Sequence, residues 1–198
     1  MIESMFVMPL WIDRLSNIDN EKLKNICYDW KSKSPGRIAS NLGGWQSESI
    51  EVRIEDLGDL VDEITVRCNQ FHTAMGFKSS FVHRISNMWI NINGKGHMNH
   101  PHVHPGSSLS GVYYVKSNPK NAGRIMFMNP NAYHCNEDVI ENFTPVTSAK
   151  YFQWPEEHKL LIFPSYMAHY VEPNQDDEDR ISISFNTTLF REDRLANN

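Results

Sequence analysis

The sequence predicts a mainly β fold with flanking helices, and three observations carry that prediction. Helical periodicity is confined to the first 79 residues. From residue 80 onward, short apolar or alternating segments follow one another with Pro and Gly between them. No βαβ alternation appears in that half. Residues 80–188 therefore read as seven to eight strands of an antiparallel sandwich or barrel, with residues 1–79 as helical and strand support on one face. A chain of 198 residues is the length of a single domain, 1–198.

Each element has its own signal. Met5 to Ile12 (MFVMPLWI) reads as a first strand with Pro9 at its edge. Asn17 to Trp30 carries Leu23, Ile26, Cys27 and Trp30 at helical spacing, with Asn17 or Asp19 as cap. Ser34 to Ser49 is rich in Gly and Ser and reads as a loop. Within it Trp45 is either a plug against the core or a lid residue. Ile54 to Met75 is the strongest helix, with Leu57, Leu60, Val61, Ile64, Cys68 and Phe71 as its apolar stripe. Ser80 to Asn93 ends in WININ, where Ile90 and Ile92 share one face and Trp89, Asn91 and Asn93 the other. LSGVYYV, Gly123 to Met128, Ala149 to Trp154, Lys159 to Phe163, His169 to Val171 and Arg180 to Thr187 supply further strands. Asn129 to Pro145 is a long loop.

Composition narrows the function classes. A hydrophobic content of 40% and a charged content of 22% are ordinary for a soluble globular chain. The net charge of −5 argues against a general grip on nucleic-acid phosphates or anionic membranes. Cys27, Cys68 and Cys135 are odd in number and far apart, which suggests reduced thiols and a cytoplasmic setting. The apolar run near the start is too short for a signal peptide or a membrane span. The acidic run DDED after Pro173 reads as a solvated turn. A homodimer is compatible with all of this.

Two stretches carry chemistry. Four of the nine histidines, His97, His100, His102 and His104, fall within eight residues. In an extended chain, His100, His102 and His104 would share a face, which suits a metal better than a core. Spacing leaves open which of the three imidazoles bind. Further on, Arg180, Ser182, Ser184 and Asn186 alternate with Ile181, Ile183 and Phe185. Such a strand either faces water or lines a polar pocket. With a distant His169 before it, the pocket is an anion site beside a metal, because guanidinium forms a planar fork for carboxylate.

The order HxH, then His169, then Arg180-x-Ser182 resembles the iron(II)/2-oxoglutarate-dependent dioxygenases. SNLGGWQS, WININ, HPHVHPGSSLSGVYYV and LLIFPSYMAHYVEPN…RISISFN together resemble one branch of 2OG-Fe(II) oxygenases, from about residue 5 to residue 188. The resemblance implies a double-stranded β-helix, the jelly roll that cupins share. It implies Fe(II) held by His102, His104 and His169, and 2-oxoglutarate as co-substrate. The far carboxylate would rest on Arg180, with Ser182 assisting and Asn91 and Tyr114 facing the same pocket. His100 falls outside the matched pair. The implied reaction hydroxylates a C–H bond of an unnamed substrate and releases succinate and CO2.

One departure stands out. Most of the superfamily has an acid where this chain has His104, so the iron would carry one more positive charge. Two rivals follow. One is a cupin-type three-histidine dioxygenase or isomerase working without 2-oxoglutarate, and Arg180-x-Ser182 argues against it. The other is a jelly-roll binding module that catalyses nothing. No motif names the substrate, and Trp45, Tyr133 and Trp154 are aromatics that either stack on it or pack.

Overall fold

The computed structural model describes residues 7–50, 55–131, 140–144 and 147–192. Cys135, Tyr133, the start of the first predicted strand and part of the 129–145 loop lie outside the described residues.

Eleven strands and two α-helices are described. β1 (Trp11–Arg14) precedes α1 (Asn20–Lys33). β2 (Asn41–Leu42) and β3 (Trp45–Gln46) lead through a short 3-10 turn into α2 (Gly58–Ala74). Then follow β4 (Phe81–Asn93), β5 (Met98–His102), β6 (Leu109–Lys116), β7 (Ile125–Met128), β8 (Lys150–Gln153), β9 (Lys159–Pro164), β10 (His169–Val171) and β11 (Arg180–Arg191). Two antiparallel sheets result, a six-stranded one in the order β1-β9-β6-β11-β4-β3 and a five-stranded one in the order β2-β5-β10-β7-β8. This is the jelly roll expected from the sequence. No helix among the described residues is long and apolar enough to cross a membrane.

Local chemistry sets the bounds. Among the described residues the first strand lies after Pro9, where Trp11 to Arg14 can pair with Ile162 to Lys159. Asp19, not Asn17, caps α1 by accepting the Lys22 N–H at 3.0 Å. The predicted loop 34–49 contains β2 and β3, each only two residues long and held by pairing to β5 and β4. Its Trp45 is the plug: the indole Nε1 donates to Ser34 O at 2.9 Å and the ring packs on the core.

Two apolar clusters give each strand of the larger sheet two different faces. Ile90 and Ile92 of β4, Ile181, Ile183 and Phe185 of β11, and Leu160 and Ile162 of β9 pack outward under Leu23 and Cys27 of α1 and Leu60, Ile64, Cys68 and Phe71 of α2. Val112, Tyr114, Leu161 and Phe163 face inward against Ile125 and Phe127 of the smaller sheet. Because side chains alternate, the polar positions of β4 and β11 must face the space between the sheets. Arg180, Ser182, Ser184 and Asn186 therefore line a pocket and do not face water.

Candidate active site

Three imidazoles meet at one end of the inter-sheet space. His102 ends β5, His104 follows it, and His169 begins β10 directly opposite His102 in the ladder. Their ligand atoms all lie within 4.8 Å of one another. The ring centroids are 4.3 Å apart for His102–His169, 5.0 Å for His102–His104 and 5.2 Å for His104–His169. Among the described residues, no carboxylate joins the cluster.

Two of these rings are oriented by backbone. His102 Nδ1 sits 2.6 Å from His100 O, and His169 Nδ1 sits 2.9 Å from Met167 O. A carbonyl can only accept, so both rings carry their proton on Nδ1 and turn the Nε2 lone pair inward. Burial pushes His169 down to about 3 and His104 down to about 4, and lowers His102 as well; neighbouring imidazoles add to the first two. All three are neutral at pH 7, the form a metal binds.

The expectation that His100 shares this face is wrong. β5 and β10 pair His169 with His102 but Val171 with Asn99, so one extra residue is accommodated in β5 between Asn99 and His102. Pro101, which has no N–H to give the ladder, falls inside that bulge. The parity flips there: Asn99 joins His102 in the cavity and His100 is turned to solvent.

Arg180 lies behind the histidines in the same cavity, whose volume is about 50 Å³. Although only 2% exposed, it has no carboxylate partner among the described residues. Its Nη1 donates to Ala122 O, to Gly123 O at 3.3 Å and to Glu172 O at 3.3 Å. Its Nη2 has no partner among the described residues. Desolvation brings its pKa down to about 10, still cationic at pH 7. The carboxylate of Glu172, whose backbone carbonyl Arg180 reaches, is taken by Arg124 in a two-pronged pair at 2.6 and 2.7 Å.

The other predicted pocket residues are brought together too. Ser182, Asn91 and Tyr114 are buried neighbours on β11, β4 and β6, registered Ser182↔Asn91 and Ser182↔Tyr114. Asn91 Nδ2 donates to Ser184 Oγ at 3.1 Å and its Oδ1 is left without a partner. Trp89 adds a wall, 5.6 Å from His104. Trp154 lies elsewhere, edge-on to Phe152 at 5.9 Å and under Arg124. Asn99 and Ser40 were missed as lining residues. The bulge hides the first from a parity argument, and the second sits in a segment whose strands exist only by long-range pairing.

Comparison with known proteins agrees with this geometry. A family described as "Putative 2OG-Fe(II) oxygenase" matches residues 87–186, or 100 of the 198 residues. No curated protein matches in sequence. A prolyl-4-hydroxylase from Pseudomonas putida has the same fold at 12% identity and a TM-score of 0.64, covering 91% of this chain and 92% of that one. SnoK, an alpha-ketoglutarate-dependent carbocyclase of nogalamycin biosynthesis, superposes at 11% identity and a TM-score of 0.66, covering 91% and 79%. A prolyl hydroxylase from Trichoplax adhaerens, crystallised with a peptide fragment of hypoxia inducible factor, gives 18%, 0.61, 96% and 86%. The match over more than half of the chain decides the assignment: the chain belongs to the 2OG-Fe(II) oxygenases, enzymes with iron(II) as cofactor and 2-oxoglutarate as co-substrate.

Proposed function

We propose that His102, His104 and His169 hold the iron, that Arg180 anchors 2-oxoglutarate, and that the enzyme hydroxylates a C–H bond. The observation that carries this reading is Arg180 Nη2, a buried cation's donor without a partner among the described residues, on a side chain that lines the cavity three neutral imidazoles share. Leaving such a donor unpaired costs about 1–3 kcal/mol or more. A dicarboxylate would relieve that cost and neutralise the charge at once.

When bound, iron and 2-oxoglutarate supply an oxidant from O2: 2-oxoglutarate leaves as succinate and CO2, with one oxygen atom entering succinate and the other the substrate's new hydroxyl. The protein's own residues do the rest. Arg180, steadied by three backbone carbonyls, orients the co-substrate from its far end, and Ser182 and Tyr114 flank it as hydrogen-bonding groups. Asn91 faces the same space with a carboxamide set by Ser184. Phe163, 4.8 Å from His169, and Val112 keep bulk water from the inner wall. The three-histidine set lacks the acid common in the superfamily, so the bound dianion brings most of the negative charge the ion receives.

A C–H hydroxylation, as in the prolyl hydroxylases that share the fold, is the chemistry this site fits. The free, buried Cys27 and Cys68 accord with a cytoplasmic enzyme, and light scattering reads whether it is a monomer or a homodimer. The decisive experiment is an aerobic assay with Fe(II) and 2-oxoglutarate, alongside an anaerobic titration of the visible absorption of the chelate. Wild type should form succinate and the absorbing chelate. His169→Ala should lose both. Arg180→Ala should need at least about a hundredfold more 2-oxoglutarate, as expected for losing a buried charge pair. Undiminished 2-oxoglutarate affinity in Arg180→Ala refutes the anchor.

A further inference from the structure

A second space, of about 300 Å³, opens on the other side of His102 and His104, and its walls share Trp89 and Ser40 with the first. β11 runs through both. Arg180 stands at one end of its inner face and Asn186 at the other, six residues or about 20 Å further along. The histidines lie between them, so a molecule in the second space faces the iron site from the side opposite 2-oxoglutarate.

Its polar walls combine three carboxamides with Ser40, Ser47 and Ser49. Asn186 and Asn87 are register partners across β11 and β4, and Gln46 comes from β3. Gln46 and Asn186 are each only 6% exposed. Asn186 Oδ1 accepts from Ser110 Oγ at 2.7 Å, and that hydroxyl is braced 3.0 Å from buried Ser165 Oγ. The tie holds Oδ1 inward and leaves both Nδ2 protons to the groove. Asn87 Oδ1 has one long contact, Ser86 Oγ at 3.5 Å, and its Nδ2 has none. Gln46 makes no side-chain hydrogen bond among the described residues, so its Oε1 and its Nε2 are both open to a ligand.

Charge is nearly absent there. No described carboxylate lines the groove, and its one cation outside the histidines, Arg37, is matched by Glu48 at 3.9 Å. A phosphate-bearing ligand would find a single arginine, half-exposed and already facing Glu48. A planar amide, by contrast, presents one donor beside one acceptor, the complement of Gln46, and an acceptor oxygen for Asn186. Trp89 supplies a flat apolar wall next to His104 for the carbon skeleton.

We propose that this groove takes an uncharged, amide-bearing substrate, gripped through its amide by Asn186, Gln46 and Asn87, with the C–H to be hydroxylated held over the histidines against Trp89. The amide comes either from a peptide backbone or from a free small amide. This deepens the oxygenase reading and rests on it for the reaction, though not for binding.

The test therefore uses the metal-free full chain. N-acetylalanine N-methylamide, a neutral two-amide probe, is titrated by ¹H–¹⁵N NMR while the Trp89 indole signal is followed. N-acetylalanine with its free carboxylate, adenosine and methyl glucoside serve as comparators, and a capped tetrapeptide separates a peptide source from a small amide. The neutral amide should bind best and shift the Trp89 signal. Asn186→Asp and Gln46→Glu, which keep shape but change a donor for an acceptor, should each weaken it at least about tenfold. Unchanged 2-oxoglutarate affinity in both variants shows that they fold. Absence of amide binding to wild type, equal binding by both variants, or tighter binding of adenosine or glucoside overturns the proposal. Failure of the oxygenase reading shows separately, as no succinate from wild type loaded with iron.

Discussion

Single buried side chains carry most of the consequences. His83 is 2% exposed and faces His72, whose ring centroid is 5.2 Å away, and Thr187 Oγ1 at 2.9 Å from its Nδ1; Asn69 holds its backbone. No acid faces it among the described residues. Burial, with the neighbouring His72, depresses its pKa from 6.5 to about 4. The unfolded chain therefore takes up a proton near pH 6.5 that the folded chain refuses until about pH 4. Stability contributed at this site is complete above pH 6.5 and is lost on acidification to pH 4, by roughly 3 kcal/mol. Urea unfolding of metal-free protein at pH 7.5 and 4.5 checks this. The difference between the two pH values should be smaller in His83→Gln than in wild type, and an equal difference rejects it. The active-site imidazoles push in the same direction, which is why the comparison is made between variants.

At the scale of elements, close approach and register decide the outcome. Gly111 sits at the middle of β6, opposite Phe185 and Ile162. A Cβ there would lie 2.2 Å from Phe185 Cζ and 2.6 Å from Leu161 O. Neither can retreat, since Phe185 is wholly buried under the helices and Leu161 O belongs to a neighbouring strand. Gly111→Ala should lower stability by about 2–3 kcal/mol, read as a lower urea midpoint with an unchanged slope. The same scale shows where sequence reasoning succeeds and where it stops. The alternation in WININ and in RISISFN puts Asn91 on one face of its strand and Arg180 and Ser182 on one face of theirs, as in the structure, because regular pairing preserves a period of two; which side of the sheet that face takes is left open by alternation. The histidine run fails that argument at His100, because a bulge at Pro101 adds a residue that no local pattern announces. β2 and β3 escape notice for a related reason: two residues carry no periodicity, and only β5 and β4 make them strands.

For the whole molecule, the site is a clasp between parts of the smaller sheet and the segment that follows β5. His102 and His104 lie far in sequence from His169, so an ion binding all three restrains the folded chain and has no comparable site in the unfolded one. At a free metal concentration about a hundredfold above Kd, the gain is about 2.7 kcal/mol, or roughly 5–10 °C in Tm for a chain of this size. Differential scanning fluorimetry with Fe(II) under argon, or with Ni(II) in air, should show that rise. EDTA should reverse it, and His169→Ala should show none. A second rise on adding 2-oxoglutarate should disappear in Arg180→Ala.

The sequence by itself determined the class of fold, the order of the strands after residue 80, the polar and apolar faces of β4 and β11, and the residues from which an iron and 2-oxoglutarate site can be built. The faces follow from the alternation of side chains along a strand, and the residues for iron and 2-oxoglutarate follow from the resemblance carried by HxH, His169 and Arg180-x-Ser182 in that order. Only the tertiary structure decided which imidazoles converge, that Arg180 keeps an unpaired donor, and that three carboxamides from separate strands line one groove. Those facts depend on register between strands distant in the chain, and register is fixed by the packing of two sheets and two helices together.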